Sequence, residues 1–580
     1  MRGLAHIRIS RIWVSLGIVC LLAALEPACA QPAAGAVLTG PYRIAGTVVN
    51  AITGEPVRGA MMAILTIQDS HIFASTESGE GGRFTLEHLP AAKFQLTASK
   101  RGYSTSFYNE HDGGYNSAIV TGAGPGAGED TGNLVFKLTP SAVLNGVVTG
   151  DGGDPVEGAT VMLFEKPRGH EPGAKIGQAG TAMTDDTGAY EFADLSPGEY
   201  MLAVKAQPWY AITHSSIGSG PTGGPTGETE AQAALDVAYP MTFFDSTTDE
   251  SSATPIALAG GSRQQANLSL HAVPALRLEV NAPDQQEGKN AHPRLRQSIF
   301  GIEIGTGGED VQYDDRTGKT EFAGVAPGPY ELTQGDPPRV LEMDATANQQ
   351  VDPDAGVPTV TVTATLRDTM GSPLTGLMTV TLEPVDGGGA GATDPSLIPS
   401  TVPFLVQPIV QPVSGSSFTA PVVAGVWAVQ VQGQNGAMPV LSLMAGGQKL
   451  QGNRITVQDQ PLSLIVTVSA STARVEGFAR RSDRGFAGAM VVLVPRNLAA
   501  IAELARRDQS DSDGSFALLD VAPGEYTVVA IQDGWDLDWA NPAVIARYLP
   551  DGTAVTVKDS RDHEPDRRVL LSDPVMVQAR

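Results

Sequence analysis

Catalysis and metal binding need particular side chains at particular spacings, and this chain offers few of them. It has nine histidines, the first of which, His6, lies in the leader described below. None of the other eight, from His71 to His563, sits in His-x-x-Glu or His-Glu-x-x-His. Those spacings place two zinc ligands on one element, so no catalytic zinc is expected. His88 and His271 adjoin strand patterns and read as strand-end or surface residues. The nucleophile elbow Gly-x-Ser-x-Gly does not occur. Gly318-Lys319-Thr320 ends like a phosphate loop, but Tyr313 stands where that loop needs its first glycine, and the surroundings read as a hairpin turn.

Two side-chain groups remain. Asp508, Asp511 and Asp513 precede Gly514, and Asp185 and Asp186 precede Gly188. Calcium takes six to eight oxygens, and an EF-hand loop alternates acids and ends in Glu. Gln509 breaks that alternation. The acids recur where a turn recurs, so turn formation is the simpler reading. Sugar binding would need exposed aromatic rings. Trp209 with Tyr210, and Trp535 with Trp539, lie in extended loops and are the candidate ligand contacts; partly buried loop aromatics are the plainer reading. Trp427 occupies a repeat position and reads as core. No catalytic residue, metal ligand or cofactor site is assigned, and no cofactor is expected.

The whole chain narrows the classes further. Its 580 residues carry 38 Lys+Arg against 63 Asp+Glu, a net charge of −25. Nucleic-acid binding needs clustered cations to neutralise phosphates, so it is excluded. The 66 Gly and 41 Pro rule out one long helical assembly, because both residues interrupt helices and mark turns. With 42% hydrophobic and 17% charged residues the chain reads as folded. The length suggests four or five domains.

The first thirty residues read as a secretory signal peptide. Arg2, Arg8 and Arg11 are followed by the apolar run Ile12 to Leu25 and by Ala28-Cys29-Ala30, a small-x-small cleavage site. That run is shorter than the ~20 residues a transmembrane helix needs, and no membrane span is expected after cleavage. A lipoprotein leader would use Cys29, but Glu26 stands where it wants Leu. Both cysteines, Cys20 and Cys29, fall inside the leader, so the mature chain is expected to hold no disulfide. It is expected to be exported: periplasmic, cell-surface or extracellular.

A spacing then recurs five times. After Gly188 come Tyr190, Phe192, Leu195, Pro197, Gly198 and Tyr200, at offsets 2, 4, 7, 9, 10 and 12. Gly514 is followed at those offsets by Phe516, Leu518, Val521, Pro523, Gly524 and Tyr526. Copies anchored on Gly82 and Gly318 are less complete, and a weak one starts at Gly415. Alternation at offsets 2 and 4 is that of a half-buried strand. The anchor glycine follows Asp, Thr or Gly, as in Asp186-Thr187-Gly188 and Asp513-Gly514, which reads as hairpin-turn chemistry with the glycine at positive φ. Pro-Gly suits the centre of a type II turn leading into an antiparallel partner strand. An upstream half recurs as Gly54-Glu55-Pro56-Val57-Arg58-Gly59-Ala60 and Gly153-Asp154-Pro155-Val156-Glu157-Gly158-Ala159. Two short helices are expected near 498–507 and 541–548. Thr121 to Gly132, Ser215 to Thr229 and Asp386 to Thr401 are low-complexity loops.

About seven short strands per ~100 residues, separated by Gly/Pro turns, point to an all-β tandem array of Ig-like or transthyretin-like β-sandwich modules. The expected division is a leader at 1–30, then modules at 42–140, 141–274, 275–357, 358–471 and 472–580, the third and fourth degenerate. Gly-x-Pro-Val-x-Gly-Ala followed by Asp-x-x-Gly-x-Tyr-x-Phe-x-x-Leu-x-Pro-Gly-x-Tyr resembles the carboxypeptidase regulatory-like domain, best in the second module and fairly in the first and last. The resemblance implies a transthyretin-like, or carbohydrate-binding-like, sandwich and implies no peptidase activity. The expected function is therefore non-enzymatic binding or scaffolding at the cell envelope. Polysaccharide and envelope proteins are the candidate partners. A carbohydrate-binding array and an accessory subunit of an envelope complex are the alternatives.

Overall fold

The computed structural model describes residues 40–580 except 124–129, 170–173, 212–234, 282–292, 306–309, 315–318, 335–338, 352–356, 375, 386–408, 434–435, 451, 470–471 and 559–566. The leader, the anchor Gly318 and most of the three low-complexity loops lie outside the described residues. Strands dominate the rest, arranged as successive β-sandwiches. Hydrophobic cores fall in chain order within 44–138, 142–270, 276–351, 362–468 and 473–575.

One pairing scheme recurs in all five. The opening strand (Tyr42–Asn50, Ala142–Thr149, Leu276–Asn281, Val360–Arg367 or Ala473–Arg481) pairs antiparallel with the strand after the anchor glycine. It also pairs parallel with a strand that closes the unit. In the facing sheet, the strand after the Pro-Gly position pairs antiparallel with the strand after the upstream half. The third and fourth units keep this scheme although their motifs have decayed. What persists there is alternation, as in Val362, Ala364 and Leu366, all fully buried on one face of Val360–Arg367.

Three sequence expectations are corrected at the turns. First, the strands flanking Pro-Gly are not partners: Ala189–Leu195 and Gly198–Lys205 belong to different sheets, and the Pro-Gly carries the chain across the sandwich. Second, Gly198 and Gly524 do not take a positive φ, so no type II turn forms there. The left-handed residue lies at offset 6 instead: His88 (φ 59°), Asp194 (56°), Gly324 (72°) and Asp520 (52°). Each sits where the register with the opening strand slips, a β-bulge that bends the strand before it crosses. Third, both expected short helices form, with α-turns at Ile501–Leu504 and Pro542–Ile545, but the first stops short of 507 because Arg506–Gln509 is a strand. The second is capped by Asn541, whose side chain accepts the Ala543 amide at 3.0 Å.

Two further positions explain residues of the repeat. Thr184 Oγ1 accepts the Ala159 amide at 2.8 Å and donates to the Val156 carbonyl at 2.6 Å. Ser78 bridges Ala60 and Val57 in the same way, and Ser510 bridges Ala489 and Phe486. These buried hydroxyls tie the Val-x-Gly-Ala half to the turn half. At offset 12, the buried Tyr200, Tyr330 and Tyr526 each donate to a carbonyl four residues back, at 2.7, 2.9 and 2.9 Å. Trp427 does so through its indole nitrogen at 3.1 Å. Tyr526→Phe is therefore expected to destabilise the last unit by about 1 kcal/mol, since the Ala522 carbonyl loses its buried donor. Urea unfolding followed by tryptophan fluorescence reads this, and an unchanged midpoint would remove the role given to the hydroxyl.

Candidate interaction site: the joint between the first and last units

The turn before the anchor glycine is the same in the second and last units, but its surroundings differ. In the second unit Asp185 Oδ1 accepts from the Thr187 hydroxyl at 2.7 Å and from the Thr187 and Ala189 amides at 2.9 Å. The Thr187 hydroxyl, then those amides, hold its carboxyl below the usual value in open solvent. The equivalent residue of the last unit is Asp511, which is buried. It ion-pairs with Lys93 of the first unit and accepts the Ala118 amide at 2.8 Å. Burial outweighs Lys93 and raises its pKa. Asp513 accepts the Ser515 amide at 2.9 Å within the turn. Of the acids considered for calcium, Asp185 and Asp513 thus serve turns and Asp511 a contact between units. Among the described residues no group of three or more His, Cys, Asp or Glu is placed to hold a metal.

The contact is built from residues roughly 400 positions apart. The segment 107–121 of the first unit lies against Arg506–Gln509 and the turn after it. Gln509 Nε2 donates to the Asn109 carbonyl at 2.6 Å and to Ser117 Oγ at 2.8 Å. Its Oε1 lies 2.9 Å from His111 Nδ1. Ser117 Oγ donates to the Ser510 carbonyl, the Val120 amide donates to Ser512 Oγ at 2.8 Å, and the Ser512 amide donates to the Ala118 carbonyl at 2.9 Å.

Arg507 is the centre of this contact. Its side chain is 1% exposed, and its Nη1 lies 3.0 Å from Asp112 Oδ2. The guanidinium sits 4.6 Å from the Tyr115 ring centroid, 4.9 Å from Trp539 and 5.5 Å from Trp535. A weakly hydrated, delocalised cation tolerates such a cage better than an ammonium would. His111 stacks on Trp535 with centroids 4.8 Å apart and planes within 10°. Asp112 also meets the second unit: a Cβ on Gly169 would lie 2.4 Å from its Oδ2. One loop of the first unit therefore touches two others.

Two of the four aromatic candidates belong here. Trp535 and Trp539 are 6% and 2% exposed, and they pack with Met490, Ile501 and Ile545 in a core outside the sandwich proper. They present no open ring face to a sugar, because the helical insert and the first unit cover them. Trp209 is 90% exposed, and Tyr210 stands beside it. The roles of Arg507, Asp112, His111, Gln509 and Lys93 do not appear in the sequence reading. The acid-rich run 508–513 and the tryptophan pair were visible, but nothing local names their partner.

A smaller apolar joint links the second and third units. Phe300 inserts its ring against Phe164 and Phe243, with centroids 5.2 and 5.4 Å apart. Beside the first joint, a cavity of about 770 Å³ opens between the first and last units, with Phe73, Phe94, Phe478 and Leu570 among its lining residues.

Burial shapes the pH response of the main joint. Asp508 accepts the Ala517 amide at 2.6 Å and the Gln509 amide at 2.8 Å. Burial pushes its pKa up to about 7 from 3.8, aided by Asp511 and opposed by Lys93. A carboxyl raised on folding binds protons more tightly in the folded state. Its contribution is therefore most favourable below about pH 4 and is lost as pH rises through about 7. Asp508→Asn removes the titrating carboxyl, but its amide can replace only one of the two oxygens that accept the Gln509 and Ala517 amides, so the expected change is in the pH dependence rather than a gain in stability. The variant should flatten the fall in stability between pH 5 and 8. Denaturation of both proteins at the two pH values checks this, and an unaltered slope would show that Asp508 does not titrate there.

Two stretches, 43–117 and 143–223, match the family model of the carboxypeptidase regulatory-like domain. No curated protein matches the chain. Among solved structures, a minor pilin of the gram-positive pathogen Streptococcus agalactiae is 14% identical, with 40% of this chain and 97% of that one covered at a TM-score of 0.20. The Bacillus anthracis TIE protein is 11% identical, with 73% of each chain covered and a TM-score of 0.16. The shaft pilin spaA from Lactobacillus rhamnosus GG is 11% identical over 40% of this chain and 97% of its own, with a TM-score of 0.18. None of the three superposes on this chain as a whole. Among the described residues no helix is long and apolar enough to cross a membrane.

Proposed function

We propose that this is an exported, non-enzymatic protein of five β-sandwich modules that binds or scaffolds other components at the cell envelope, with its first and last modules locked together. The observation that carries the reading is the Arg507–Asp112 joint. Its polar side chains are spent on one another and on backbone groups across the two units, which is what a structural contact requires and a catalytic centre does not. The signal-like leader supports export, and the two regulatory-like stretches support a sandwich whose surfaces are free to present binding sites. A joint between chain ends also changes what the array can do. A loose string gains avidity only when linkers let its sites reach a target together, whereas a locked body holds them at fixed separations.

The accessory-subunit reading follows from the same rigidity. Crosslinking in the native envelope should recover one reproducible partner in stoichiometric yield. Recovery of the monomer alone, under conditions that trap known envelope complexes, would sink this reading.

A further inference from the structure

The second unit carries an aromatic platform that the joint does not use. Trp209 and Tyr210 follow the strand Gly198–Lys205 beyond the buried Pro208, in a turn closed by the Ala211 amide donating to the Pro208 carbonyl at 3.0 Å. The Trp209 indole is 90% exposed. The Tyr210 ring stands edge-on to it, with centroids 5.7 Å apart and planes at 88°, leaving much of the indole open to solvent. Tyr239, a buried residue of the unit's core, joins this pair to the neighbouring turn: it interacts with Tyr210, and a Cβ on Gly150 would lie 2.8 Å from its hydroxyl. Burial, then Tyr210, then Asp151 raise the Tyr239 phenol above its usual value, and Asp154 adds to this.

Those two carboxylates lie in the tight turn 150–154, closed by the Gly153 amide donating to the Gly150 carbonyl at 3.0 Å. Asp151 accepts the Ala272 amide at 2.9 Å, and its other oxygen lies 2.8 Å from His271 Nδ1. Asp151 and His271 keep side-chain exposures of 49% and 72%. One end of a single sandwich thus offers an open indole, a second ring that fixes it, and solvent-facing oxygen acceptors beside an imidazole.

We propose that this end of the second unit binds a neutral polysaccharide, with one sugar ring stacked on Trp209 and hydroxyls of that sugar or its neighbour donating to the carboxylates of the 150–154 turn. A pyranose has an apolar C–H face and a rim of hydroxyl donors, which match a bare ring flanked by acceptors. A wholly apolar ligand would bury those carboxylates without partners. An anionic glycan or a nucleic acid would meet Asp151 and Asp154 on a chain that already carries −25. The site goes beyond the scaffolding reading and does not depend on the joint.

The test is affinity electrophoresis of the whole protein in native gels containing dextran, galactomannan or mixed-linkage β-glucan, with alginate as the anionic polymer. At least one neutral polymer should retard the protein, and alginate should not. Trp209→Ala should bind about tenfold more weakly, the order expected for losing one stacked ring. Asp154→Ala should weaken retention by a smaller factor, and both variants should keep the parent's circular dichroism. The proposal is overturned if no neutral polymer retards the protein, if alginate retards it equally, or if Trp209→Ala is retained as strongly as the parent. Failure here leaves the joint untouched, because amide exchange at Ala118 and Val120 reports the joint separately.

Discussion

Replacing Arg507 with Met is expected to release the first unit from the last. Met keeps much of the aliphatic stem but removes the guanidinium that Asp112 faces at 3.0 Å, and Asp112 is only 11% exposed. Removing one partner of a buried pair leaves the other desolvated and uncompensated, at a cost of about 3–5 kcal/mol. The loss of contacts to Tyr115, Trp535 and Trp539 adds to it. A change of that size lowers the closed-to-open ratio by roughly two to four orders of magnitude. The units themselves should stay folded, because Arg507 lies outside the sandwich core of the last unit. Asp112→Asn should cost less, since the amide oxygen still accepts from Arg507. The double variant should fall short of the sum of the singles, as for two residues in direct contact. Small-angle scattering should show the radius of gyration rising for Arg507→Met. No change would mean that the pair is a bystander.

Gly188→Ala is the second large effect. Gly188 has φ +74°, and a Cβ there would lie 2.4 Å from the Val148 carbonyl oxygen. The left-handed conformation alone costs a non-glycine residue about 1 kcal/mol. The clash adds more, because it falls on a strand whose Val148 amide bonds the Gly188 carbonyl at 2.9 Å. A total of about 3 kcal/mol is expected, confined to the second unit. Gly153 is the control: its φ is +78°, but a Cβ there meets nothing within 4 Å. Gly153→Ala should therefore cost only the conformational part. Equal losses at the two positions, measured by denaturant unfolding, would show that φ rather than close approach fixes the glycine. Gly82 and Gly514 repeat the close approach, at 2.3 Å from the Val48 oxygen and 2.5 Å from the Ala479 oxygen.

These two cases mark how far the sequence can be read. The anchor glycine was legible because a positive φ is a local property and Asp-x-x-Gly states it locally. Alternation such as Tyr190 with Phe192 was legible for the same reason, and it led to the all-β sandwich class. The partner of each strand was not. Pro197-Gly198 looks like a turn between neighbours, and only the packing of two sheets shows that it spans them. The bulge at offset 6 had a visible signal, since His88, Asp194, Gly324 and Asp520 include residue types that tolerate the left-handed region. The joint had none. Asp112 and Arg507 are 395 positions apart, and an arginine in a strand reads as surface until a second unit covers it. Trp535 and Trp539 read as partly buried loop aromatics, but what covers them was not legible, because the surfaces that bury them come from a helical insert and from the other end of the chain.

A closed scaffold requires that the first and last modules be locked together. Amide hydrogen exchange of the whole protein tests it at single residues. The Ala118 amide bonds Asp511, the Val120 amide bonds Ser512, and the Ser512 amide bonds Ala118. All three should exchange slowly in the parent and become fast together in Arg507→Met. The Val148 amide, bonded within the second unit, should stay protected in both. Fast exchange of Ala118, Val120 and Ser512 in the parent, with Val148 still protected, would mean that the modules fold but do not lock, and the closed scaffold would be wrong.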